Sequence, residues 1–366
     1  GSDMLSKNRP IRVLVVDDSM VARNLITKGL SSHPRIEVVG TAINALDSKQ
    51  KIIHLSPDVV TMDVEMPGTS GIDFLKQFLP EHPLPVILVS SLNLRVFDAL
   101  AAGAVDFVRK PDGTESNASF LHALAQKIIV ASCAKVHNPT QTARTAVSPT
   151  GGAQVQAAHT AVPLFGTLGS STALDHTIIG LGASTGGTEA TLEVLKRLPA
   201  DIPGMVIVQH MPVGFTKMYA ERLNRLCKME VREAVQGDEI HRGLALIAPA
   251  DLQMRVVRLG NRYTVSCQPG EKVSGHRPSV DVLFSSMAST VKCHMVGIIM
   301  TGMGRDGASG LLEMRKAGAY TIGQDKDSCV VYGMPCVAHE IGAVMVQASC
   351  ENIANVLMTH LKSQGK

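Results

Sequence analysis

Apolar residues come along this chain in short runs, each followed by a stretch with helical spacing. In the first part, Ile11–Val16, Glu37–Gly40, Asp58–Met62, Val86–Val89 and Gly103–Val108 read as strands. Met20–Leu30, a stretch ending near Leu55, and Ser116–Lys135 (with Phe120, Leu121, Leu124 and Ile128 on one face) read as helices. That alternation predicts βα units on a doubly wound parallel sheet, a flavodoxin-like (βα)5 domain. In the second part, strands are predicted from Ile178, at Met205–Val208, within Val231–Gly243, and at Leu244–Ile247, His294–Met300, Ala319–Ile322 and Ala343–Val346. Helices are predicted at Thr188–Leu198, Phe215–Leu226, Asp281–Ser289, Ala308–Lys316, Met334–Ile341 and the C-terminus. Met254–Leu259 and Arg262–Cys267, around Gly260-Asn261, predict a β-hairpin. The second domain is thus α/β with a mainly parallel sheet.

Between these parts, from about Val136 to Leu174, the chain turns to Thr, Ala, Ser, Gly, Pro and Gln without apolar periodicity. Such a composition cannot bury enough surface to order itself, and predicts a flexible tether. The expected organisation is therefore a domain over 9–135, a tether over 136–174 and a domain over 175–363. A length of 366 residues agrees with two domains at about 150 residues each. The net charge of +3 comes without a Lys/Arg cluster, which argues against nucleic acid. Seven cysteines lack any C-x-x-C pair, so neither a disulfide framework nor a zinc site is expected, and reduced thiols in a cytoplasmic protein are. No apolar run approaches the roughly 18 residues of a membrane span, so no membrane insertion is expected.

The chemistry gathers at strand ends. The first strand ends in Asp17-Asp18, the third in Asp63, the fourth in Ser90, and the last leads to Lys110-Pro111. The two neighbouring acids alone would serve as helix N-caps. Together, these residues share the sheet edge where doubly wound folds bind ligands. Three carboxylates without thiolate or imidazole suit Mg²⁺. One carboxylate can then act as nucleophile toward a phosphoryl group. Lys110 would neutralise phosphoryl oxygens, and the Ser90 hydroxyl would bond to one.

These positions resemble the receiver domain of two-component response regulators, over about Ile11 to Val130. The resemblance implies that Asp63 accepts phosphate, that Asp17, Asp18, Asp63 and the Glu65 carbonyl surround Mg²⁺, and that Ser90 and Phe107 form a switch pair. Gly68-Thr69-Ser70-Gly71 departs from the family in lacking an acid before the glycine; Ser70 with Asp73 still makes a capping box.

In the second domain, Gly182-Ala183-Ser184-Thr185-Gly186 is a G-x-S-x-G string between a strand and a helix. That context lifts a serine to the end of a parallel sheet, where helix-start N–H groups can hold an oxyanion. Gly180, Gly182 and Gly186 equally suit a dinucleotide-binding turn. That alternative wants an acid at the end of the next strand, which instead ends Gln209-His210. Asp306 follows the His294–Met300 run, and by itself is equally well an N-cap. Ser184, His210 and Asp306 each follow a parallel-type strand and can meet as a Ser-His-Asp set. Their chain order differs from that of α/β-hydrolases. His241, His276, His294 and His339 compete with His210, but none ends a clear βα strand.

Four segments, Gly182–Gly187, Gln209–Pro212, Thr301–Gly307 and Val330–Pro335, resemble the chemotaxis protein-glutamate methylesterases, the CheB family. The resemblance covers nearly all the chain outside the tether. It implies hydrolysis of γ-glutamyl methyl esters on the cytoplasmic helices of chemoreceptors, leaving open whether glutamine deamidation accompanies it. It implies phosphorylation of Asp63 by a sensor histidine kinase, Ser184, His210 and Asp306 as catalytic residues, and the Thr185 and Met303 N–H groups as oxyanion donors. It implies Mg²⁺ in the receiver and no cofactor for the esterase step. Gln253 stands where a histidine is expected, a departure that bears on local substrate contacts. A DNA-binding output would need a helix-turn-helix with a basic recognition helix, and this glycine-punctuated α/β domain has no basic stripe.

Overall fold

The computed structural model describes residues 9–66, 71–113, 116–136 and 166–365. Most of the expected tether, with His137 and His159, and the Ser70 part of the capping box lie outside the described residues. The chain divides into two compact units, each described here by itself.

The first unit is a five-stranded parallel sheet in the order β2-β1-β3-β4-β5. Its strands are β1 (Ile11–Val16), β2 (Ile36–Ala42), β3 (Val59–Asp63), β4 (Val86–Ser90) and β5 (Asp106–Arg109). The order reverses beside β1, so the C-terminal ends of β1 and β3 flank a crevice. Its helices are α1 (Met20–Ser31), α2 (Ala45–Leu55), α3 (Gly71–Phe78), α4 (Arg95–Ala101) and α5 (Asn117–Ser132). Helix α5 buries Phe120, Leu124 and Ile128 as its spacing predicts, with Ala125 and Ala131 beside them, while Leu121 is half-buried. The last strand begins at Asp106, three residues later than expected, because Gly103 with φ of 120° makes a turn.

The second unit holds a seven-stranded sheet ordered β14-β13-β12-β6-β7-β9-β8, parallel at every pairing. Its strands are β6 (Ile178–Ala183), β7 (Gly204–Gln209), β8 (Glu230–Glu233), β9 (Leu244–Ile247), β12 (Met295–Ile299), β13 (Tyr320–Gln324) and β14 (Val346–Ala348). The hairpin β10 (Gln253–Leu259) and β11 (Arg262–Gln268) forms a separate antiparallel pair. From β6 the chain builds outward through β7, and later returns to build the other side from β12. The topological switch point therefore lies between β6 and β12. The helices are α6 (Thr172–Asp175), α7 (Gly187–Leu195), α8 (Phe215–Leu226), α9 (Val280–Thr290), α10 (Ala308–Lys316), α11 (Met334–Glu340) and α12 (Ile353–Gln364).

Helix α9 matters most for the site. Ser279 caps it by accepting from the Val282 N–H. Val280, Leu283, Phe284 and Met287, at i, i+3, i+4 and i+7, form its buried face. Burial of each such side chain contributes about 1.5–3 kcal/mol. The face lies against β6, where Gly180 meets Met287 and Phe284 and Gly182 meets Val280. These glycines let the helix seat close to the strand.

The composition-based tether reaches too far. Its last residues belong to the second unit: the N–H groups of Leu168 and Gly169 donate to Asp201 (2.9 and 2.8 Å), Arg242 donates to the Gly169 carbonyl (2.7 Å), and Leu174 is buried. Side-chain anchors, rather than apolar periodicity, order this segment.

Candidate active site

Ser184, His210 and the Asp306 loop follow β6, β7 and β12, neighbours in the sheet, at one edge. The Ser184 N–H donates to the Thr301 carbonyl (2.9 Å) and the His210 N–H to the Ala183 carbonyl (3.3 Å). Gln209, wholly buried, donates from Nε2 to the Ser184 carbonyl (2.8 Å), tying the two turns together. Gly302 approaches Ser184 so closely that a Cβ on it would lie 2.7 Å from Ser184 Cβ. Only glycine lets the chain there carry Met303 past the serine. The Met303 N–H has no hydrogen-bond partner among the described residues, and the Met303 side chain is exposed.

Asp306 is buried and saturated with donors. His210 Nε2 lies 2.8 Å from its Oδ2. The Val280 N–H donates to Oδ2 (2.8 Å), and the Ser279 hydroxyl and Asp281 N–H donate to Oδ1 (2.7 and 2.9 Å). The carboxylate thus sits on the N-terminus of α9, where N–H groups are unsatisfied and negative charge is favoured. Asp306 is therefore not the cap of its own following helix, α10, whose N-cap is Gly307. Burial works against its ionisation, but the His210 contact and the Asp281 and Ser279 donors outweigh it and hold the carboxyl below its usual range. An ionised Asp306 requires the proton of neutral His210 to be on Nε2. Nδ1 is left with its lone pair, buried and without a hydrogen-bond partner. The acid thus holds Nε2, the opposite of the more familiar arrangement in which it holds Nδ1.

A second layer holds this arrangement. Gln253 is buried; its Oε1 accepts the Ser279 N–H (2.9 Å), and its Nε2 donates to the carbonyls of Glu271 (2.9 Å) and His276 (3.1 Å). The residue that stands in place of the expected histidine therefore supports the helix start that holds Asp306. Asp281 accepts the Gly310 N–H (2.8 Å) and joins α9 to α10. Burial, with Asp306 nearby, raises the Asp281 carboxyl.

Of the competing histidines, only His276 comes to His210: the rings stack at 3.6 Å with planes 7° apart. His241 bonds to the Arg242 carbonyl, His294 pairs with His360, and His339 is exposed in the last turn of α11. The sequence singles out Gln253 only as a departure from the family and His276 only as a competitor of His210, and it does not assign Ser279. A serine immediately before an apolar-periodic helix was a readable N-cap signal; a face-to-face ring contact leaves none.

In the first unit, Asp17, Asp18 and Asp63 bring carboxylate oxygens within 4.8 Å of one another, Asp18 exposed and the others buried. Lys110 Nζ donates to Asp63 Oδ2 (2.8 Å) and Glu65 Oε2 (3.0 Å). The Glu65 side chain also accepts from the Ser91 hydroxyl, a role added to the backbone carbonyl expected from sequence. Burial opposes the charge of both Glu65 and Lys110, but Ser91 and Lys110 hold Glu65 low, and Asp63 and Glu65 hold Lys110 high. The Ser90 hydroxyl donates to the Ser91 carbonyl (2.6 Å), and Phe107 is buried, edge-on to Phe97. Burial, helped by Asp63 and Asp18 against the Ser19 N–H and Lys110, pushes Asp17 up to about 6. Its Oδ2 is buried without a partner. An all-oxygen donor set with an orphaned carboxylate oxygen fits a hard divalent cation.

Two domain classes define the chain. Residues 13–118 match the response regulator receiver domain, and residues 179–357 match CheB methylesterase. The protein-glutamate methylesterase/protein-glutamine glutaminase 2 of Syntrophomonas wolfei is 49% identical over 95% of this chain and 97% of its own length. The corresponding protein of Syntrophotalea carbinolica is 48% identical over 94% of this chain and 96% of its own. Among solved structures, the Thermotoga maritima CheB methylesterase catalytic domain is 33% identical, with a TM-score of 0.49 over 50% of this chain and 97% of that one. The response regulator domain of Thermotoga maritima CheB is 43% identical, with a TM-score of 0.32 over 34% and 97%. The chain belongs to the protein-glutamate methylesterase/protein-glutamine glutaminase family, with an N-terminal receiver domain.

Proposed function

We propose that this chain hydrolyses γ-glutamyl methyl esters on the cytoplasmic helices of chemoreceptors, with Ser184, His210 and Asp306 as its catalytic set, and acts in the cytoplasm. The observation that carries the reading is the lone pair of His210 Nδ1, left free by the Nε2 bond to Asp306 at the strand end beside Ser184. His210 Nδ1 takes the Ser184 hydroxyl proton as Oγ attacks the ester carbonyl. The N–H groups of Thr185 and Met303 stabilise the oxyanion. Collapse breaks the bond to the methoxy oxygen, which leaves as methanol with the proton from His210. Water, deprotonated by the same nitrogen, then hydrolyses the glutamyl–serine ester to glutamate and restores the serine. Deamidation of glutamine follows the same steps with ammonia leaving, an activity that the relatives' names carry.

In the receiver, Asp63 accepts phosphate from a sensor histidine kinase, and this modification raises esterase activity. Asp17, Asp18, Asp63 and the Glu65 carbonyl would hold Mg²⁺, which supplies positive charge among the carboxylates and phosphoryl oxygens. Lys110 leaves its carboxylate partners to bind the phosphoryl group, and the Ser90 hydroxyl turns toward it with Phe107 following. Among the described residues no helix is long and apolar enough to cross a membrane, and the receptor contact is one of protein with protein.

The test is release of methanol from methylated receptor fragments, by the chain with and without a small phosphodonor. Release that depends on Ser184 and rises with phosphorylation is expected. No release from any methylated fragment would refute the reading.

A further inference from the structure

Among the described residues, covalent and hydrogen bonds hold the ring of the base proposed above at two points. The His210 ring is tethered at Cγ by its own side chain and at Nε2 by Asp306 (2.8 Å). Those bonds alone leave open a rocking of the ring about the line joining the two points, which swings Nδ1, the atom that must meet the Ser184 hydroxyl. A flat group against one face of the ring stops that rocking, and His276 occupies such a place, 3.6 Å away and 7° from parallel.

The backbone of His276 is fixed on both sides. Its N–H donates to the Val273 carbonyl and its carbonyl accepts the Val273 N–H, each at 3.0 Å. Between them, Ser274 and Gly275 take φ of 52° and 80°. Gln253 Nε2 donates to the same His276 carbonyl, while its Oε1 holds the Ser279 N–H beside Asp306. The adjacent Arg277 donates to the Gly270 carbonyl and pairs with Asp251. One buried glutamine thus sets both the ring that flanks His210 and the helix start that holds Asp306.

We propose that His276 is a positioning residue for the reaction: its ring, stacked on His210, fixes the imidazole plane so that Nδ1 stays directed to Ser184. The role rests on the reading of Ser184 and His210 given above. It acts on alignment in the chemical step and not on receptor binding, so it is a kcat effect. Misalignment of a reacting group costs on the order of 10²-fold.

The experiment measures steady-state methanol release by the full chain, together with labelling of Ser184 by a fluorophosphonate probe, in His276→Ala, His276→Leu and His276→Phe, with melting temperatures recorded for each. Expected are a fall in kcat of roughly 10–100-fold for Ala and Leu with KM changed less than about threefold, a matching fall in labelling rate, and recovery to within about fivefold of wild type in Phe, which restores a flat ring. Wild-type kcat in the Ala variant, a defect confined to KM, or a Phe variant no better than Leu at equal thermal stability would overturn the role of His276. Failure of the probe to label wild-type Ser184 would instead remove the nucleophile and base assignment on which it rests.

Discussion

Gly182 in β6 faces Val280 at the start of α9, and a Cβ built on the glycine would lie 2.3 Å from Val280 Cγ1. The first turn of α9 is also where Ser279, Val280 and Asp281 hold Asp306. Packing between strand and helix therefore sets the position of the acid. Gly182→Ala should lower stability by about 1–3 kcal/mol, the usual cost of an overpacked core. It should also reduce kcat by more than that loss of folded protein explains, because α9 must move away from β6 and take the donors to Asp306 with it. A denaturant melt and methanol-release kinetics on the folded fraction check both. An active, equally stable Ala variant would show that β6 and α9 can separate without disturbing the site.

Replacing the nucleophile separates chemistry from fold. Ser184→Ala should lose about 10³-fold or more in kcat while its melting temperature stays near wild type, since among the described residues the hydrogen bonds of Ser184 are made by its backbone. Asp306→Asn should lose roughly 10²–10⁴-fold. An asparagine amide facing Nε2 moves the imidazole proton to Nδ1, which can then no longer accept from Ser184. Stability should also fall, because one carbonyl oxygen cannot accept all that two carboxylate oxygens accept from Ser279, Val280 and Asp281. If Asp306→Asn retained wild-type kcat, the tautomer argument would be wrong.

Much of this was legible in the sequence because strand ends are. Apolar runs closing in Asp17-Asp18, Asp63, Ser184 and His210 place chemistry at the sheet edges, and helix Phe215–Leu226 was read with the bounds it has in the structure. Three things were not legible. Which imidazole nitrogen Asp306 holds depends on the direction from which α9 approaches, and no spacing encodes it. The support from Gln253 and the stack of His276 come from a hairpin and a loop outside the βα pattern. Residues 168–174 look like a tether because composition does not record that Asp201 and Arg242, far along the chain, bind their backbone.

Phosphorylation can be tested directly. With Mg²⁺ and a small phosphodonor, the full chain should take up acid-labile phosphate, and EDTA should abolish uptake. Asp17→Asn should also suppress it, since the cation would lose the buried carboxylate whose Oδ2 has no other partner. Asp63→Asn should take up none. Undiminished labelling of that variant would move the acceptor to another residue.

The last prediction concerns acid stability. His294 Nε2 and His360 Nε2 lie 2.7 Å apart, and the His360 ring stacks on Tyr320 at 3.8 Å. Burial, and secondarily the neighbouring His294, lower His360 to about 4, and burial lowers His294 as well. An unfolded histidine titrates near 6.5. Between the two values the unfolded chain binds more protons than the folded one, so the stability contributed is complete above about pH 6.5 and is lost as pH falls toward 4. The second unit's melting temperature should therefore drop on going from pH 7.5 to pH 4.5. His360→Phe keeps a flat ring against Tyr320 and removes the titrating group and the like charge beside His294. Its melting temperature should fall less over the same interval, whatever its value at pH 7.5. An identical fall in the variant would mean that the histidine pair contributes nothing to acid sensitivity over this interval; Asp306, held below its usual range, loses its stabilising ionisation only at lower pH.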